Sequence, residues 1–509
     1  MTYSRVFPNM RHALSDVQST SRWLAIGGVF LIGTMLTGLT GLAGCSTNPA
    51  TGQQELILMD AEDEATIGMT AHPRIVEAYG GAYVERGINA YVTSLVARIV
   101  ENSAQPDLDY TVTVLDSSLV NALALPGGYV YVTRGLLALA GDEAELAGVI
   151  AHEIAHVNAR HVAQRQTAAV GTSILGALVG SVLGSTAVNG IVSRGTNGLL
   201  ASYSREQESE ADLLAVSYLA RAHYDPYAVR DFLQSINAYA AMQAELVGEE
   251  YDPTQVGWLS SHPATEERIA DAAEAAQQFF GPRTTHNRRK EQFYAAIDGL
   301  LFGENRERGF IRGREFIHTV ERFRFSVPPQ FRLASTPQAV WAIGPDKTIV
   351  KFDSASKMPG QSIDHYLVDE WAAAFELEDI GSFKIAGLAA ASARTRLQGL
   401  ATRIIAIEAS PGQVYRFLTG VPEQVKEQYE ASLAEMFQSF RLMSVAQAAD
   451  FHLLRVRAVA VTEGMTLESL AAQMAFADAQ VARFRLLNGL ADTDELIVGD
   501  RVKLIVEGS

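Results

Sequence analysis

The chain has 509 residues, too many for one hydrophobic core, so several domains are expected. A hydrophobic content of 48% and a charged content of 19% are typical of globular protein and exclude a disordered chain. The formal net charge of −17 argues against a nucleic-acid partner, and the single cysteine excludes an internal disulfide framework and a cysteine-rich zinc finger.

The first 44 residues have the pattern of a bacterial secretory signal. A basic start precedes an uncharged run from Trp23 to Gly44, which is long enough to span a membrane. The run ends in Leu42-Ala43-Gly44-Cys45, which resembles the lipobox of bacterial lipoproteins. This resemblance implies cleavage of the signal peptide 1–44 and lipid attachment to Cys45, and Ser46 resembles the pattern sorted to the outer membrane. We therefore expect an outer membrane lipoprotein that faces the periplasm.

Two helices and two strands are predicted before the first motif that carries chemistry. The helices are expected at 60–79 and 90–101. Alternating threonine and valine predict a strand at 110–115, and Tyr129–Thr133 reads as a second strand after Pro-Gly-Gly.

The sequence His152-Glu153-Ile154-Ala155-His156 lies in an apolar, proline-free stretch that predicts a helix. Positions four apart share a helix face, so both imidazoles can bind one metal ion. Glu153 lies next to the first histidine, where its carboxylate can reach a water in an open metal position. Because the helix is expected to be buried, these polar residues need partners, and a surface helix with chance histidines is the weaker interpretation.

The uncharged run 166–193 follows, rich in glycine, alanine, leucine and valine. Its length allows a membrane span, but its glycines weaken that interpretation. A lid beside the active site or a segment on the membrane face is expected instead, and a polytopic membrane protease is the alternative.

A helix opening at Ser204 offers the third metal ligand that a catalytic zinc requires. Glu208 and Asp212 are four apart on a face that continues with small or apolar residues, so this face is expected to pack. Glu206 and Glu210 lie off it. We therefore predict Glu208 as the third ligand and Asp212 as the carboxylate that orients a ligand histidine. An acidic helix N-terminus favoured by the dipole would explain Glu206 but not this pair.

Together these motifs resemble the M48 family of zinc metalloendopeptidases, which are gluzincins. The resemblance rests on His-Glu-x-x-His followed by Glu-x-x-x-Asp, and on two further segments, Asn121-Ala122-Leu123-Ala124-Leu125-Pro126-Gly127-Gly128 and Ser261-His262-Pro263-Ala264-Thr265-Glu266-Glu267-Arg268-Ile269. It implies one Zn²⁺ per chain, bound by His152, His156 and Glu208, with Glu153 as general base. It also implies cleavage of misfolded or misassembled envelope polypeptides.

In peptidases of this class an edge strand before the metal helix pairs with the extended substrate. This makes Gly128, Tyr129 and Val130 the expected substrate-binding residues. His262 has three open roles: stabilising the oxyanion, closing the fourth zinc position to give a latent enzyme, or packing at a helix start. The remaining histidines considered have no comparable partner and are expected to be structural: His72, His161, His223, His286, His318, His365 and His452.

Beyond the peptidase-like region, 282–295 is basic and polar and is predicted to be a linker. Residues 296–445 are predicted to form an α+β domain with a mainly antiparallel sheet and no cluster of acids, bases or metal ligands. Residues 452–507 have a strand-helix-helix-strand order that resembles a LysM module. That family binds glycan chains, so peptidoglycan is a candidate partner of this module.

The sequence thus predicts an α+β multidomain protein. A mainly helical zincin-type peptidase domain with a small sheet is expected at 45–281, followed by the α+β domain and the small C-terminal module. The predicted function is zinc-dependent cleavage of peptide bonds by a lipid-anchored envelope protein. The rival hypothesis is a wall-binding scaffold or chaperone whose zinc site is structural and closed by four protein ligands.

Overall fold

A computed structural model describes residues 45–168, 203–247, 251, 257–281, 287–335, 339–476 and 478–508. The predicted signal peptide and the uncharged run from residue 169 onwards lie outside these residues. Within them the chain is a mixed α+β protein with several sheets. No helix in this described part combines the length and apolarity that a membrane crossing requires.

The first half of the chain is mainly helical. Its elements up to the histidine motif are β1 (Cys45–Thr47), β2 (Gln54–Leu56), α1 (Ala61–Ala78), α2 (Arg86–Val100), β3 (Thr111–Leu115), β4 (Ala122–Leu125), β5 (Tyr129–Thr133), α3 (Arg134–Leu139) and α4 (Glu143–Asn158). Residues 161–168 are also helical. There follow α5 (Arg205–Arg221), α6 (Ala228–Val247), a 3₁₀ turn (Gly257–Ser260), α7 (Glu266–Phe280) and α8 (Lys290–Ile297).

Helix α4 carries the histidine motif through the centre of the largest hydrophobic core. Asp142 caps its N-terminus by accepting a hydrogen bond from the Glu145 amide, which satisfies an otherwise free helix donor. Every residue of α4 except Val157 is buried, because α2, α5 and α6 contribute apolar faces to the same core. The motif is therefore held on a helix that packing fixes on nearly all sides.

The small sheet beside α4 has the strand order β3-β5-β4. Strand β5 pairs in parallel with β3 and antiparallel with β4. The prediction that Gly128, Tyr129 and Val130 lie on an open edge strand is therefore wrong. Tyr129 faces both Thr111 and Leu125, so the hydrogen-bonding edges of β5 are already used. Among the described residues β3 and β4 are the outer strands of this sheet.

The turn before β5 depends on two glycines. Gly127 and Gly128 have φ values of +80° and +84°, a left-handed conformation that side chains rarely adopt. At Gly128 a Cβ atom would also lie 2.1 Å from the Asp109 carbonyl oxygen. The Pro-Gly-Gly segment is thereby required for the reversal between β4 and β5.

The predicted linker 282–295 differs from the structure in its second half. Residues from Lys290 onwards form α8, which buries Phe293 and Tyr294 in the same core as α4. Just before it, the Arg288 guanidinium forms ion pairs with Asp142, Glu145, Asp225 and Asp231. These four carboxylates bind the segment to the starts of both α4 and α6, and sequence spacing does not reveal this arrangement.

The middle of the chain contains two antiparallel sheets. Its strands are β6 (Leu301–Phe302), β7 (Phe310–Arg312), β8 (Glu315–His318), β9 (Phe323–Ser326), β10 (Arg332–Ser335), β11 (Val340–Ile343), β12 (Ile349–Ser356), β13 (Glu378–Ile385), β14 (Leu388–Leu397), β15 (Leu400–Ser410), β16 (Gln413–Pro422) and β17 (Arg441–Leu442). Its helices are α9 (Ile363–His365), continued by π-helical Tyr366–Trp371, α10 (Lys426–Ser439) and α11 (Val445–Ala449); 3₁₀ turns lie at Pro345–Lys347 and Glu423–Val425. The larger sheet has the order β10-β11-β12-β16-β15-β14-β13, with apolar clusters on both faces.

The C-terminal segment comprises β18 (Leu453–Ala460), α12 (Leu467–Ala471), α13 (Gln480–Leu487) and β19 (Arg501–Gly508). Its strands pair with each other, and β18 also pairs with β6. Its apolar residues belong to the same core cluster as α4. The fully buried Lys503 donates through Nζ to the carbonyls of Ala138, Leu139 and Ala140, at 2.9, 3.2 and 2.6 Å. The C-terminal segment is therefore joined to the helical region around α4 by a continuous core and the hydrogen bonds of a buried lysine.

Candidate metal centre

Four buried side chains from three separate segments converge at one point: His152 and His156 from α4, Glu208 from α5, and His262 from the loop before α7. Their ligand atoms all lie within 4.8 Å of one another. The Nε2 atoms of His152 and His156 are 3.0 Å apart, and the Nδ1 atom of His262 is 3.3 Å from Nε2 of His152. Glu208 approaches the nitrogens of His152, His156 and His262 at 3.5, 3.6 and 2.8 Å.

The donor set fits zinc. Tetrahedral zinc with bonds of about 2.0–2.2 Å separates its ligand atoms by about 3.3–3.6 Å, close to most of these distances. Nδ1 of His152 lies 2.9 Å from Asp212 and Nδ1 of His156 lies 2.7 Å from His161, so the Nε2 atoms are the ones left to face each other. Two such nitrogens at 3.0 Å repel as lone pairs unless a proton or a metal ion lies between them, so this pair can hold a cation. Imidazole and carboxylate together favour zinc or a related transition ion over the alkaline earths.

Asp212 lies behind His152 and is itself fixed by Arg268. The Arg268 guanidinium donates to both carboxylate oxygens, at 2.7 and 2.9 Å, and its Nη1 atom lies 2.8 Å from Glu208. One buried cation therefore orients both Glu208 and Asp212. Such a partner keeps the ring orientation and tautomer of a ligand histidine constant.

The electrostatics keep the two carboxylates ionised. Burial opposes ionisation, but the charge of Arg268 outweighs it and lowers the pKa of Asp212. Burial likewise opposes ionisation of Glu208, and the charges and hydrogen bonds of His262 and His152 lower its pKa. For His156, burial and the neighbouring His152 charge hold the pKa well below its usual value, which favours the neutral imidazole that binds metals.

Glu153 points to the same centre. Its Oε1 atom accepts a hydrogen bond of 2.9 Å from the Trp258 indole and lies 3.6 Å from Nε2 of His262. Trp258 is 1% exposed and its ring stacks on His262 at a centroid distance of 4.7 Å. The indole N–H therefore positions the carboxylate that the sequence predicts to be the general base.

His161 has a partner that the sequence analysis did not anticipate. It is fully buried, its Nδ1 atom is 2.7 Å from Nδ1 of His156, and its Nε2 atom is 3.2 Å from Glu210. The expectation that His161 is purely structural and that Glu210 plays no part is thus incomplete. Asp212 supports His152 and the His161–Glu210 pair supports His156, so each ligand histidine of α4 has its own support.

Replacing His161 is expected to weaken zinc binding without unfolding the protein. His161→Phe keeps the ring volume but removes the acceptor for His156, so zinc affinity should fall by about 10–100-fold. His161→Gln retains an oxygen acceptor and should recover part of this loss. Competition with a chromogenic chelator measures the affinity, and His223→Phe serves as the control. Equal zinc affinity in the Phe variant and the wild type would exclude this supporting role.

The structure thus brings His152, Glu153, His156, Glu208, Asp212 and His262 together and leaves Gly128, Tyr129 and Val130 in an inner strand. Cys45 begins β1. Sequence reasoning missed Trp258, Arg268, His161 and Tyr203, whose ring stacks on His156 at 3.9 Å. Of these, Arg268 lies within the motif at 261–269, and His161 lies five residues after His156.

Comparisons with known proteins agree with this centre. Residues 88–276 match the model of Peptidase family M48. The beta-barrel assembly-enhancing protease of Escherichia coli is 30% identical over 220 residues, which are 41% of this chain and 42% of that protein. A Vibrio cholerae relative is 32% identical over 203 residues, 38% of this chain and 40% of its own. The mitochondrial metalloendopeptidase OMA1 of Schizosaccharomyces pombe is 28% identical over 210 residues, 40% of this chain and 59% of that protein. The matches to the two bacterial relatives therefore span about two fifths of their length.

Proposed function

With residues 88–276 identified as a domain of peptidase family M48, we propose that the chain is a zinc-dependent metalloendopeptidase. The observation that carries the proposal is the convergence of His152, His156 and Glu208 beside Glu153, buried on packed helices. Burying the Glu153 carboxylate costs free energy, and Glu153 is not one of the clustered ligands. A scaffold protein with a structural metal site would gain nothing from this cost.

The roles of the residues follow from their positions. Zinc bound by the cluster would polarise the scissile carbonyl and make a water molecule more acidic. Glu153 takes the proton of the attacking water and delivers it to the departing amine nitrogen. Trp258 keeps the Glu153 carboxylate oriented through its indole N–H. Asp212, Arg268 and the His161–Glu210 pair keep the ligand side chains in place.

His262 occupies the position of a fourth ligand. Its Nδ1 atom is 3.3 Å from Nε2 of His152 and 2.8 Å from Glu208. These short distances fit a metal ligand that closes the site better than they fit a hydrogen-bond donor to the oxyanion. This arrangement is a latent state from which His262 has to withdraw before water and substrate enter.

The extended substrate pairs with β4 rather than β5. Strand β4 borders α4, pairs with β5 on one side only, and has no second strand neighbour among the described residues. An added substrate strand would hydrogen-bond to its outer edge and run past the metal cluster.

The substrates we propose are misfolded or misassembled envelope polypeptides, in line with the bacterial relatives being named beta-barrel assembly-enhancing proteases. The chain would reach them as a periplasm-facing outer membrane lipoprotein anchored at Cys45. In this arrangement 45–281 is the peptidase domain, 296–445 a domain without an assigned ligand, and 452–507 a LysM-like module that contacts peptidoglycan. The core shared between 452–507 and α4 supports a peptidase that includes this module.

Removing the metal is expected to stop proteolysis reversibly. The purified chain carrying Cys45→Ala is incubated with unfolded casein, with a chelator, and with chelator followed by one equivalent of zinc. Cleavage should disappear with the chelator and return with zinc. Zinc binding without cleavage of any unfolded protein, by this protein and by its His262→Ala form, would favour the wall-binding scaffold or chaperone with a closed site.

His262→Ala separates closure from catalysis. If His262 closes the site, its removal should increase the initial cleavage rate severalfold while zinc affinity falls, because one ligand is lost. If it stabilises the oxyanion instead, the rate should fall by about 10²-fold or more. Paired measurements of kcat and zinc affinity distinguish these results, and His365→Ala, an exposed histidine far along the chain, is the control.

A further inference from the structure

A cavity of about 220 Å³ adjoins the metal cluster. A water molecule occupies roughly 30 Å³ in the liquid, so this space is several times larger than one water and can hold an amino-acid side chain. His156, Tyr203 and Ala124 of β4 are among the residues that line it. Its walls are mainly apolar and come from Ala61, Leu108, Ala124, Pro126, Val157 and Val162.

The charged groups in the wall are matched within the protein. The Arg160 guanidinium donates to Glu64 at 3.0 Å, to the hydroxyl of Ser46 at 2.8 Å and to the carbonyl of Met59 at 2.7 Å. Glu64 and Arg160 therefore satisfy each other and present no unpaired charge to an occupant. A charged side chain would lose its hydration here without gaining a partner, whereas an apolar one would gain from leaving water.

One wall comes from the N-terminal tether, which we define as residues 46–49. Ser46, Thr47 and Pro49 line the cavity. The fully buried Asn48 donates to the Ala159 carbonyl at 3.3 Å, and Arg160 binds Ser46, so the tether is attached to the turn that ends α4. The residues that directly follow Cys45 are thus part of the rim of the candidate active site.

We propose that this cavity is a specificity subsite that receives one apolar side chain next to the scissile bond, with the N-terminal tether as one wall. The inference rests on the proposed peptidase function. An occupant reaches the space from a backbone paired with β4, since Ala124 belongs to that strand and also lines the cavity. His156, a member of the metal cluster, also lines the cavity, so the occupied position is adjacent to the bond that is cut.

Filling the cavity from two sides tests the subsite. Ala124→Leu fills it from β4 and Thr47→Leu fills it from the tether. Ala78→Leu is the matched control, because Ala78 is an exposed residue at the far end of α1. Each zinc-loaded protein digests a peptide library, and mass spectrometry gives the residues that flank every cut. Binding of a leucine peptide and its alanine counterpart to the Glu153→Gln forms of these proteins, measured by fluorescence anisotropy, gives a readout independent of turnover.

The wild type and the control should cut beside large apolar residues such as leucine and phenylalanine. Both filling variants should shift to alanine, glycine or serine, with the ratio of kcat/KM for leucine to that for alanine falling at least about tenfold. If the preference for large apolar residues survives both substitutions, the cavity is not a subsite. If Ala124→Leu changes this preference and Thr47→Leu does not, the N-terminal tether is not a wall of the subsite. If the zinc-loaded wild type and its His262→Ala form both leave the library intact, the proposed function fails and this inference fails with it. Cleavage without an apolar preference defeats the subsite only.

Discussion

Replacing Glu153 by glutamine is expected to reduce kcat by about 10²–10⁴-fold while zinc stays bound. The amide has nearly the same shape as the carboxylate, but it cannot take a proton from the attacking water. Glu153 is not among the four clustered ligands, so the metal should be retained. The Trp258 indole can still donate to the amide oxygen, and the fold should therefore be preserved.

The measurement pairs casein cleavage with zinc content per chain after gel filtration. Glu206→Gln is the matched control, because it makes the same chemical change on an exposed residue near the start of α5. The control should retain wild-type kcat. A Glu153→Gln protein that cleaves at the wild-type rate would remove Glu153 from the mechanism. Loss of zinc together with activity would instead indicate a role in holding the metal.

Replacing Lys503 by methionine is expected to destabilise the peptidase core although Lys503 lies almost 350 residues beyond the histidine motif. Its ammonium group donates to three carbonyls at the end of α3, just before α4 begins. Methionine fills a similar volume but leaves these buried acceptors without donors, at about 1–3 kcal/mol each. Because the variant also avoids burying a charge, we expect a net loss of about 3 kcal/mol in the free energy of unfolding.

Urea denaturation followed by tryptophan fluorescence reports this loss, because Trp258 lies in the same core. Lys384→Met, at an exposed site on β13, provides the matched control and should change the midpoint little. Zinc affinity should also fall in the Lys503 variant, since the carbonyls adjoin the helix that carries two ligands. An unchanged midpoint would mean that water or a local shift satisfies the carbonyls, and that the C-terminal segment is energetically separate.

The sequence alone was sufficient for the local chemistry of the metal centre. His152 and His156 are four residues apart on one helix, and so are Glu208 and Asp212, so helical geometry alone relates the members of each pair. The choice of Glu208 over Glu206 and Glu210 followed from burial of one helix face, and the structure places Glu208 in the cluster. Most of the regular elements were predictable for the same reason, since their patterns are local.

What depends on distant parts of the chain could be decided only by the tertiary structure. The sequence of Tyr129–Thr133 predicts a strand but does not indicate whether it lies at the edge or inside the sheet. Pairing with both β3 and β4 makes it the inner strand. His161 and Glu210 lie on different helices, and only their packing joins them to His156. The C-terminal segment has the pattern of a separate module, yet Lys503 and a shared core attach it to α4. Periodicity reports which face of an element is buried, whereas the identity of the buried partner depends on how the whole chain packs.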